Sequence, residues 1–394
     1  MSRFLIDDAT KTDPRAALDV VKMALLTDIV APLPQYMKAE GDASISIVGD
    51  CIISTYGGGV FKTTAQIINA SNLDTGAAFA VGKDYYVYIC DLGNKQDEKY
   101  VVSLNSTYPS GYTASNSRKI GGFHYGKCRR VNAAMQPVNA SGIVRGIGWE
   151  STVYDGIIPR SVWTLQHRPK CSPEGMTYIS AGLWADIYLN SDDGAGGLKS
   201  AYSGTPITGT EGLNFYDFVE RLAAVGKRLP TYDEWCAAAL GSPQGNSADN
   251  NNAWSANTNT GRQAAGYVAN AVSSFGLRDC AGNVWEHTST FITRAEPFAI
   301  TGNGTFGSYD GNRGGKSFTG GNGHGTTGAW NWDTTSPFEG YGNIYEYNDY
   351  SLVRLFAGGG WGSGSGCGAR AVALPDSAWF VSTDVGGRGV CDAL

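Results

Sequence analysis

The sequence predicts an α+β chain in which a mostly β module comes first and a mixed helix-and-strand domain follows. Three observations carry that reading. Between about residues 44 and 150, short β-branched and aromatic runs alternate with Gly, Asn and Asp punctuation. Beyond Cys171, two stretches switch to helical spacing. The chain has 394 residues, more than the roughly 100 to 200 usual for one domain, so one core is not expected to serve all of it.

Taken in order, PRAALDVVKMALL (14–26) sets Leu18, Val21 and Leu25 on one helical stripe, with Pro14 suited to the first turn. So short a helix needs a partner, either its own domain or a seam between copies. Residues 1–43 are therefore read as a helix with an attachment or oligomerisation segment. The runs ISIVGDCII, GGVFKTTAQII, YYVYICDL and KYVVSL are the strands of a β module over 44–170. Its last twenty residues, carrying Pro159 and Pro169 around SVWTLQH, are read as a connection. Residues 171–394 form the second domain. Helices are predicted near Leu213–Val225, where Phe215, Phe218, Val219 and Leu222 recur, and over Thr231–Leu240. Thr231 and Glu234 have capping-box spacing at the second helix. From Gly302 to Tyr350 the chain is rich in Gly, Asn, Trp and Tyr without periodicity. It reads as ordered surface loops in which Trp330, Trp332, Tyr341, Tyr345 and Tyr347 are candidate anchors.

Composition narrows the function classes. Thirty Lys plus Arg stand against 36 Asp plus Glu with no long run of one sign, which argues against nucleic acid or an anionic membrane as partner. The N-terminal segment MSRFLIDDATKTDPRAALDVV has two acidic residues, Asp7 and Asp8, where an export signal needs a basic start, and no uninterrupted apolar run follows. The apolar stretch Val20–Leu33 is broken by Lys22 and Asp28, so neither a standard signal nor membrane insertion is expected. Eight cysteines are spread without a CxxC pair or zinc-ligand spacing, and are read as buried reduced thiols of a protein made in the cytoplasm. With 54 glycines, about twice the usual share of roughly 7%, much of the chain must be loop.

Four segments in order carry a family signal: PEGMTYI (173–179), GKRLPTYDEW (226–235), GLRDCAGNVWEHT (276–288), and GGGWGSGSGCGARAV (358–372) with GGRGVC (386–391). Arg228 and Glu234 are placed to form buried charge-assisted bonds, and Trp235 and Trp285 to supply large core surfaces. Together the segments resemble the formylglycine-generating-enzyme and sulfatase-modifying family. The resemblance implies a C-type-lectin-like (formylglycine-generating-enzyme type) domain over 171–394. It also implies a structural calcium held by Asp279, Gly282, Val284 and Glu286, two side chains and two carbonyls whose hard oxygens suit that ion. The residues themselves allow another use, in which the carboxylates cap backbone amides or meet Arg278.

The resemblance does not bring the family's oxidase chemistry with it. That reaction needs two thiolates spaced five apart after a GGSW-like turn. Here Ser363 stands two residues after Trp361, and Cys367 is the one nearby cysteine. His287 beside Glu286 or Asp279 is the other conceivable catalytic group, but beside a framework tryptophan it reads as a packed residue. No SxxK, GxSxG, HExxH or phosphate-loop pattern occurs. The expectation is a binding scaffold with no catalytic cofactor and no enzymatic activity.

The stretch 358–392 also resembles the variable region of diversity-generating-retroelement proteins, a class that includes trimeric receptor-binding proteins of phage tails. There, adenine-directed mutation turns AAC codons into NNC codons, which never encode Trp, Met, Lys, Gln or Glu. The positions carried over are Gly360, Gly362, Ser363, Gly364, Gly366, Ala373, Pro375, Asp376, Phe380, Ser382, Asp384 and Val385, and all fall in the permitted set. Alternation of Phe380, Ser382 and Asp384 with Val381 and Thr383 predicts an extended segment, its variable side chains on one face and the others holding the core. The resemblance implies a virion protein of the phage tail. Its expected partners are a host-cell surface receptor, protein or glycan, other tail proteins, and itself as a homotrimer. A cellular retroelement-diversified display protein and a formylglycine-generating-type oxidase are the alternatives. The first would need an export signal, the second the missing cysteine pair.

Overall fold

A computed structural model describes residues 29–94, 97–138, 153–242, 261–293, 344–346, 352–363, 367–369, 371–374 and 378–394. The helix expected over 14–26 lies outside the described residues, as do Trp330, Trp332, Tyr341 and Tyr347. The chain divides into two compact units. One runs to Tyr125 and adds Gly156–Arg168 and Leu394; the other comprises Gly126–Asp155 and Pro169–Ala393.

Among the described residues the first unit is built of strands, with two single 3-10 turns at Ala70–Asn72 and Pro159–Ser161. Its strands are β1 (Met37–Gly41), β2 (Ser44–Ile47), β3 (Ile52–Ser54), β4 (Val60–Lys62), β5 (Gln66–Asn69), β6 (Lys83–Asp91), β7 (Glu98–Ser103), β8 (Ser117–Arg129), β9 (Val153–Ile157) and β10 (Trp163–Thr164), with residues 126–129 of β8 and 153–155 of β9 counted with the second unit. β1, β2 and β5 form one antiparallel sheet and β3 and β4 a hairpin. The larger sheet has the order β10-β8-β6-β7, with β9 also on β8. The apolar runs ISIVGDCII and GGVFKTTAQII each split into two strands, the first around Asp50, which adopts a left-handed φ of 64°. Tyr36, Ile45, Phe61, Tyr85, Val87, Ile89 and Phe123 fill the core. Burial of each such side chain contributes roughly 1.5–3 kcal/mol.

Two features of this unit were not legible in the sequence. β8, thirteen residues long, lacks an alternating pattern because both its faces are covered. Gly121 and Gly122 permit that covering. A Cβ at Gly121 would lie 2.2 Å from the Trp163 carbonyl, and one at Gly122 would lie 2.5 Å from the Tyr85 carbonyl. The stretch 151–170, read as a connection, contributes β9 and β10 to the same sheet.

The second unit contains β11 (Met176–Ser180), β12 (Leu183–Asp186), β13 (Asn190–Asp192), β14 (Leu198–Ser200), β15 (Trp285–Thr293), β16 (Ile344–Glu346), β17 (Leu352–Ala357), β18 (Val372–Leu374), β19 (Val385–Gly386) and β20 (Val390–Asp392). Its sheets are β11-β12-β20, the hairpin β13-β14, and the mixed sheet β16-β18-β17-β15-β19. Tyr345, expected in a loop, lies on β16 opposite Ala373. The two described helices are α1 (Phe215–Ala224) and α2 (Tyr232–Ala238). α1 starts where Asn214 Oδ1 accepts from the amide of Tyr216 at 2.8 Å while Asp217 returns to the Asn214 amide at 2.8 Å. It buries Phe215, Phe218 and Leu222 against Leu198, Ile207 and Leu229. At α2 the expected capping box forms: Glu234 N donates to Thr231 Oγ1 at 3.2 Å and Thr231 N to Glu234 Oε2 at 2.8 Å. Trp235 packs with Leu277, Leu355, Val372 and Val390.

The Arg228–Glu234 fork also forms, with two bonds of 2.7 Å. Contrary to expectation it is not buried, since its side chains are 42% and 26% exposed. It ties α2 to β20 through a third bond, Arg228 Nη2 to Asp392 at 3.1 Å. The described chain is thus predominantly strand, and among its residues no helix is long and apolar enough to cross a membrane.

Candidate functional site

The C-terminal strands are anchored by a buried guanidinium. Arg388 donates from Nε to Glu286 Oε2 at 2.6 Å and from Nη2 to Glu286 Oε1 at 2.7 Å. The same group reaches the carbonyls of Arg278 at 2.7 Å and of Asp186 and Ile187 at 3.2 Å. Both partners are almost fully buried, and a buried pair of this kind persists only when its remaining donors and acceptors are satisfied. A second buried pair lies beside it. Lys227 Nζ donates to Asp186 Oδ1 at 2.6 Å, while Asp186 Oδ2 accepts from Asn190 and from the amide of Gly389.

These bonds test the expected calcium site. Glu286 has both oxygens committed to Arg388, which neutralises the charge a cation would need. Asp279 Oδ2 accepts from the amide of Gly266 at 2.6 Å, so it caps backbone. Gly282 donates its own amide to Gly358 at 3.3 Å, and Val284 is fully buried. As arranged, this set does not fit a calcium ion held through Glu286. What the 276–288 motif does is clamp the neighbouring loop. Arg278 donates to the carbonyls of Ala271, Gly266 and Val268, and Asn283 pairs with both backbone groups of Gln263. Asp279 and Asn283 adopt φ of 61° and 66°, the left-handed region in which short polar side chains bond the backbone locally.

A different regime begins at Ala378. Residues 378–384 form no strand; donors from Phe215, Arg354, Gly209 and Trp285 instead hold their alternate carbonyls. Ala378 O accepts from Phe215 N and Arg354 Nη1, both at 3.3 Å, and Phe380 O accepts from Arg354 Nη2 at 3.1 Å. Ser382 O accepts from Gly209 N at 2.9 Å and Asp384 O from Trp285 N at 2.7 Å. Arg354 is itself fully buried, with its guanidinium 4.4 Å from the Phe356 ring centroid. Over this pinned backbone the side chains face outward: Trp379 is 71% exposed, Val381 41% and Phe380 39%. Tyr216, on the outer face of α1, meets Trp379 with ring centroids 4.6 Å apart, and Val219 is exposed one turn further along. The result is an apolar, aromatic surface on a preorganised loop.

The twelve positions carried over from the variable-region resemblance divide unevenly. Phe380 and Gly362 are exposed, and Ser363, Ser382 and Asp384 are partly exposed. Ser382 bonds Asp384 side chain to side chain, and Ser363 Oγ accepts from Gly360 N at 3.0 Å, which closes the turn after Trp361. Gly360, Ala373 and Val385 are buried, the last two in a cluster with Trp285 and Phe356. Gly364, Gly366, Pro375 and Asp376 lie outside the described residues. The expected alternation is corrected. Val381 and Thr383 do not hold the core but are exposed, because carbonyl clamps rather than a β ladder fix the segment. Sequence reasoning also missed Tyr216, Val219 and Trp379 as surface. The available signal was Tyr216 and Val219, apolar at i and i+3 along the edge of the stripe formed by Phe215, Phe218 and Leu222; Val219, read as part of that stripe, is exposed.

The two conceivable catalytic groups are both packed away. Burial pushes the Cys367 thiol up to about 12, and Sγ donates to the Gly360 carbonyl at 3.5 Å. His287 is 1% exposed among Phe215, Phe218 and Phe356, and burial, with the Arg354 charge second, holds its pKa well below the usual histidine value.

Comparison with known proteins covers both units. Residues 35–150 match the family model of the Mtd second domain, and residues 185–390 that of the sulfatase-modifying factor enzyme 1-like domain. The tail fiber receptor-binding protein of Bordetella phage BPP-1 is 27% identical over 403 aligned residues, covering 97% of this chain and 87% of that protein. Among solved structures, the M1 variant of the Major Tropism Determinant superposes with a TM-score of 0.63 at 22% identity, over 94% of this chain and 87% of that one. The U1 variant gives 0.61 at 23% identity over 96% and 88%.

Proposed function

We propose that this chain, which belongs to the sulfatase-modifying factor enzyme 1-like family, is a receptor-binding protein of a phage tail that sets host tropism through a C-type-lectin-like scaffold. The observation that carries the reading is correspondence with the tail fiber receptor-binding protein over nearly the whole chain, both units in order. The geometry supports it. A loop whose backbone is pinned at four alternate carbonyls loses little freedom when a partner docks, so little binding energy goes into ordering it. Trp and Tyr are among the residues that most often dominate interface energetics, and Phe is enriched at interfaces.

In this reading the contact surface combines positions open to diversification, namely Gly362, Ser363, Phe380, Ser382 and Asp384, with the fixed aromatics Tyr216 and Trp379. The first unit with the segment before it serves attachment to other tail proteins and assembly, as a homotrimer in the virion. Three copies of a weak site gain strongly from simultaneous engagement where the geometry permits. The role is binding and not catalysis, in keeping with the buried Cys367 and His287, and no step runs through calcium.

The test is binding of purified protein to host cells, comparing the wild type with Trp379→Ser/Phe380→Ser while a melting curve verifies folding. The expected result is a loss of about 30-fold or more in affinity, the scale of hot-spot residues, with folding retained. Unchanged binding by the folded double variant would place recognition elsewhere.

A further inference from the structure

The backbone bridge between Pro169 and Ala393 sets a register that is antiparallel. Lys170 N donates to the Asp392 carbonyl at 2.9 Å within it. Carried one step further, the register brings Cys171 opposite Cys391. The Cys171 amide in fact donates to the Cys391 sulfur at 3.3 Å across 220 residues of chain. Residues directly opposite in an antiparallel pair have Cα atoms about 4.5 to 5.5 Å apart. That lies within the roughly 4.4 to 6.8 Å a disulfide spans. Gly226 seats both side chains. Its carbonyl accepts from Cys391 Sγ at 3.5 Å, and a Cβ added to it would stand 3.3 Å from the Cys171 Cβ. Both cysteines are buried, beside the Lys227 ammonium.

We propose that Cys171 and Cys391 join as a disulfide when the protein stands in an oxidising medium, tying the segment before β11 to β20. Two S–H bonds break and one S–S bond forms. The two electrons and two protons pass to molecular oxygen, which becomes hydrogen peroxide. Burial, with the neighbouring Cys391 second, raises the Cys171 thiol while Lys227 lowers it, so the thiolate is scarce and the reaction slow without a catalyst. Disulfides persist outside the cell and not in a reducing cytoplasm. The oxidising setting rests on the phage-tail reading, whereas the pairing rests on the register alone. Failure of host binding therefore leaves it standing.

The full-length protein is held in air-saturated buffer with catalytic copper(II) phenanthroline, then denatured, alkylated with iodoacetamide and weighed. The chain has eight cysteines. The expected result is six adducts, two fewer than the eight cysteines, returning to all eight when a thiol reductant precedes alkylation, and a linked peptide pair containing residues 171 and 391. The oxidised form should also melt about 5 °C or more above the reduced one, given the long loop closed. Eight adducts after oxidation, or a link between other cysteines, overturns the proposal. So does a Cys171→Ser variant that still loses two adducts. The wild-type peptide map decides the matter even if that variant does not fold.

Discussion

Residues 378–384 and 385–392 adjoin in the chain, yet they obey different physics. From Val385 to Cys391 every side chain is buried, and Arg388 alone bonds a carboxylate and three carbonyls. From Trp379 to Asp384 no side chain is buried, although four carbonyls of the stretch beginning at Ala378 are held as firmly. In the first region the side chains make the structure. In the second the backbone makes it, and the side chains are left over for something else. A segment held by its carbonyls tolerates almost any side chain, because the clamping atoms are the same for every residue. That is the property a changeable contact surface requires.

The comparison can be broken at its strongest point first. Arg388→Met leaves the Glu286 carboxylate buried without its partner and should cost about 3–5 kcal/mol in chemical denaturation; a variant as stable as the wild type would end the distinction between frame and display. Trp285→Ala opens a cavity beside Phe356 and Val385 and should cost a similar ~3–5 kcal/mol, read from the same denaturation midpoint.

The frame also carries a pH signature. His287 is kept neutral when folded and takes a proton in the unfolded chain below about pH 6.5. The unfolded state then binds more protons, so stability falls as pH drops below that value. For one group the slope is at most about 1.4 kcal/mol per pH unit. His167, whose pKa burial also lowers, acts in the same direction. Melting curves from pH 7 to pH 5 should therefore be flatter for His287→Phe than for wild type, and equal slopes would refute the assignment. The smallest effect belongs to the display side. Trp379→Ala and Phe380→Ala should each change stability by about 0.5 kcal/mol or less; a larger loss in urea titration would mark those rings as structural.

Much of the frame was legible because its signals are local. Thr231 caps α2 three residues before Glu234, and the spacing of Phe215, Phe218 and Leu222 gives the buried face of α1. Strands β6 and β7 stand out as aromatic and β-branched runs. β8 escaped because a strand covered on both faces shows no alternation, and β9 and β10 because so short a pairing leaves no pattern of its own. The site was half legible. Phe380 is exposed as expected, but an alternating pattern could not reveal that Val381 and Thr383 also face out, nor that Ala373 and Val385 face in.

What the sequence determined by itself is the order of a strand-rich part and a mixed part, the two helices near 213–225 and 231–240 with the cap of the second, and the family, since each is written in nearby residues or in a motif. What only the tertiary structure decided is who meets whom across long separations. Glu286 closes on Arg388 at 102 residues' distance, Arg354 reaches Ala378 and Phe380, and Cys171 comes to lie opposite Cys391. Such pairings follow from strand register and sheet order, which many distant contacts set jointly and no local pattern records.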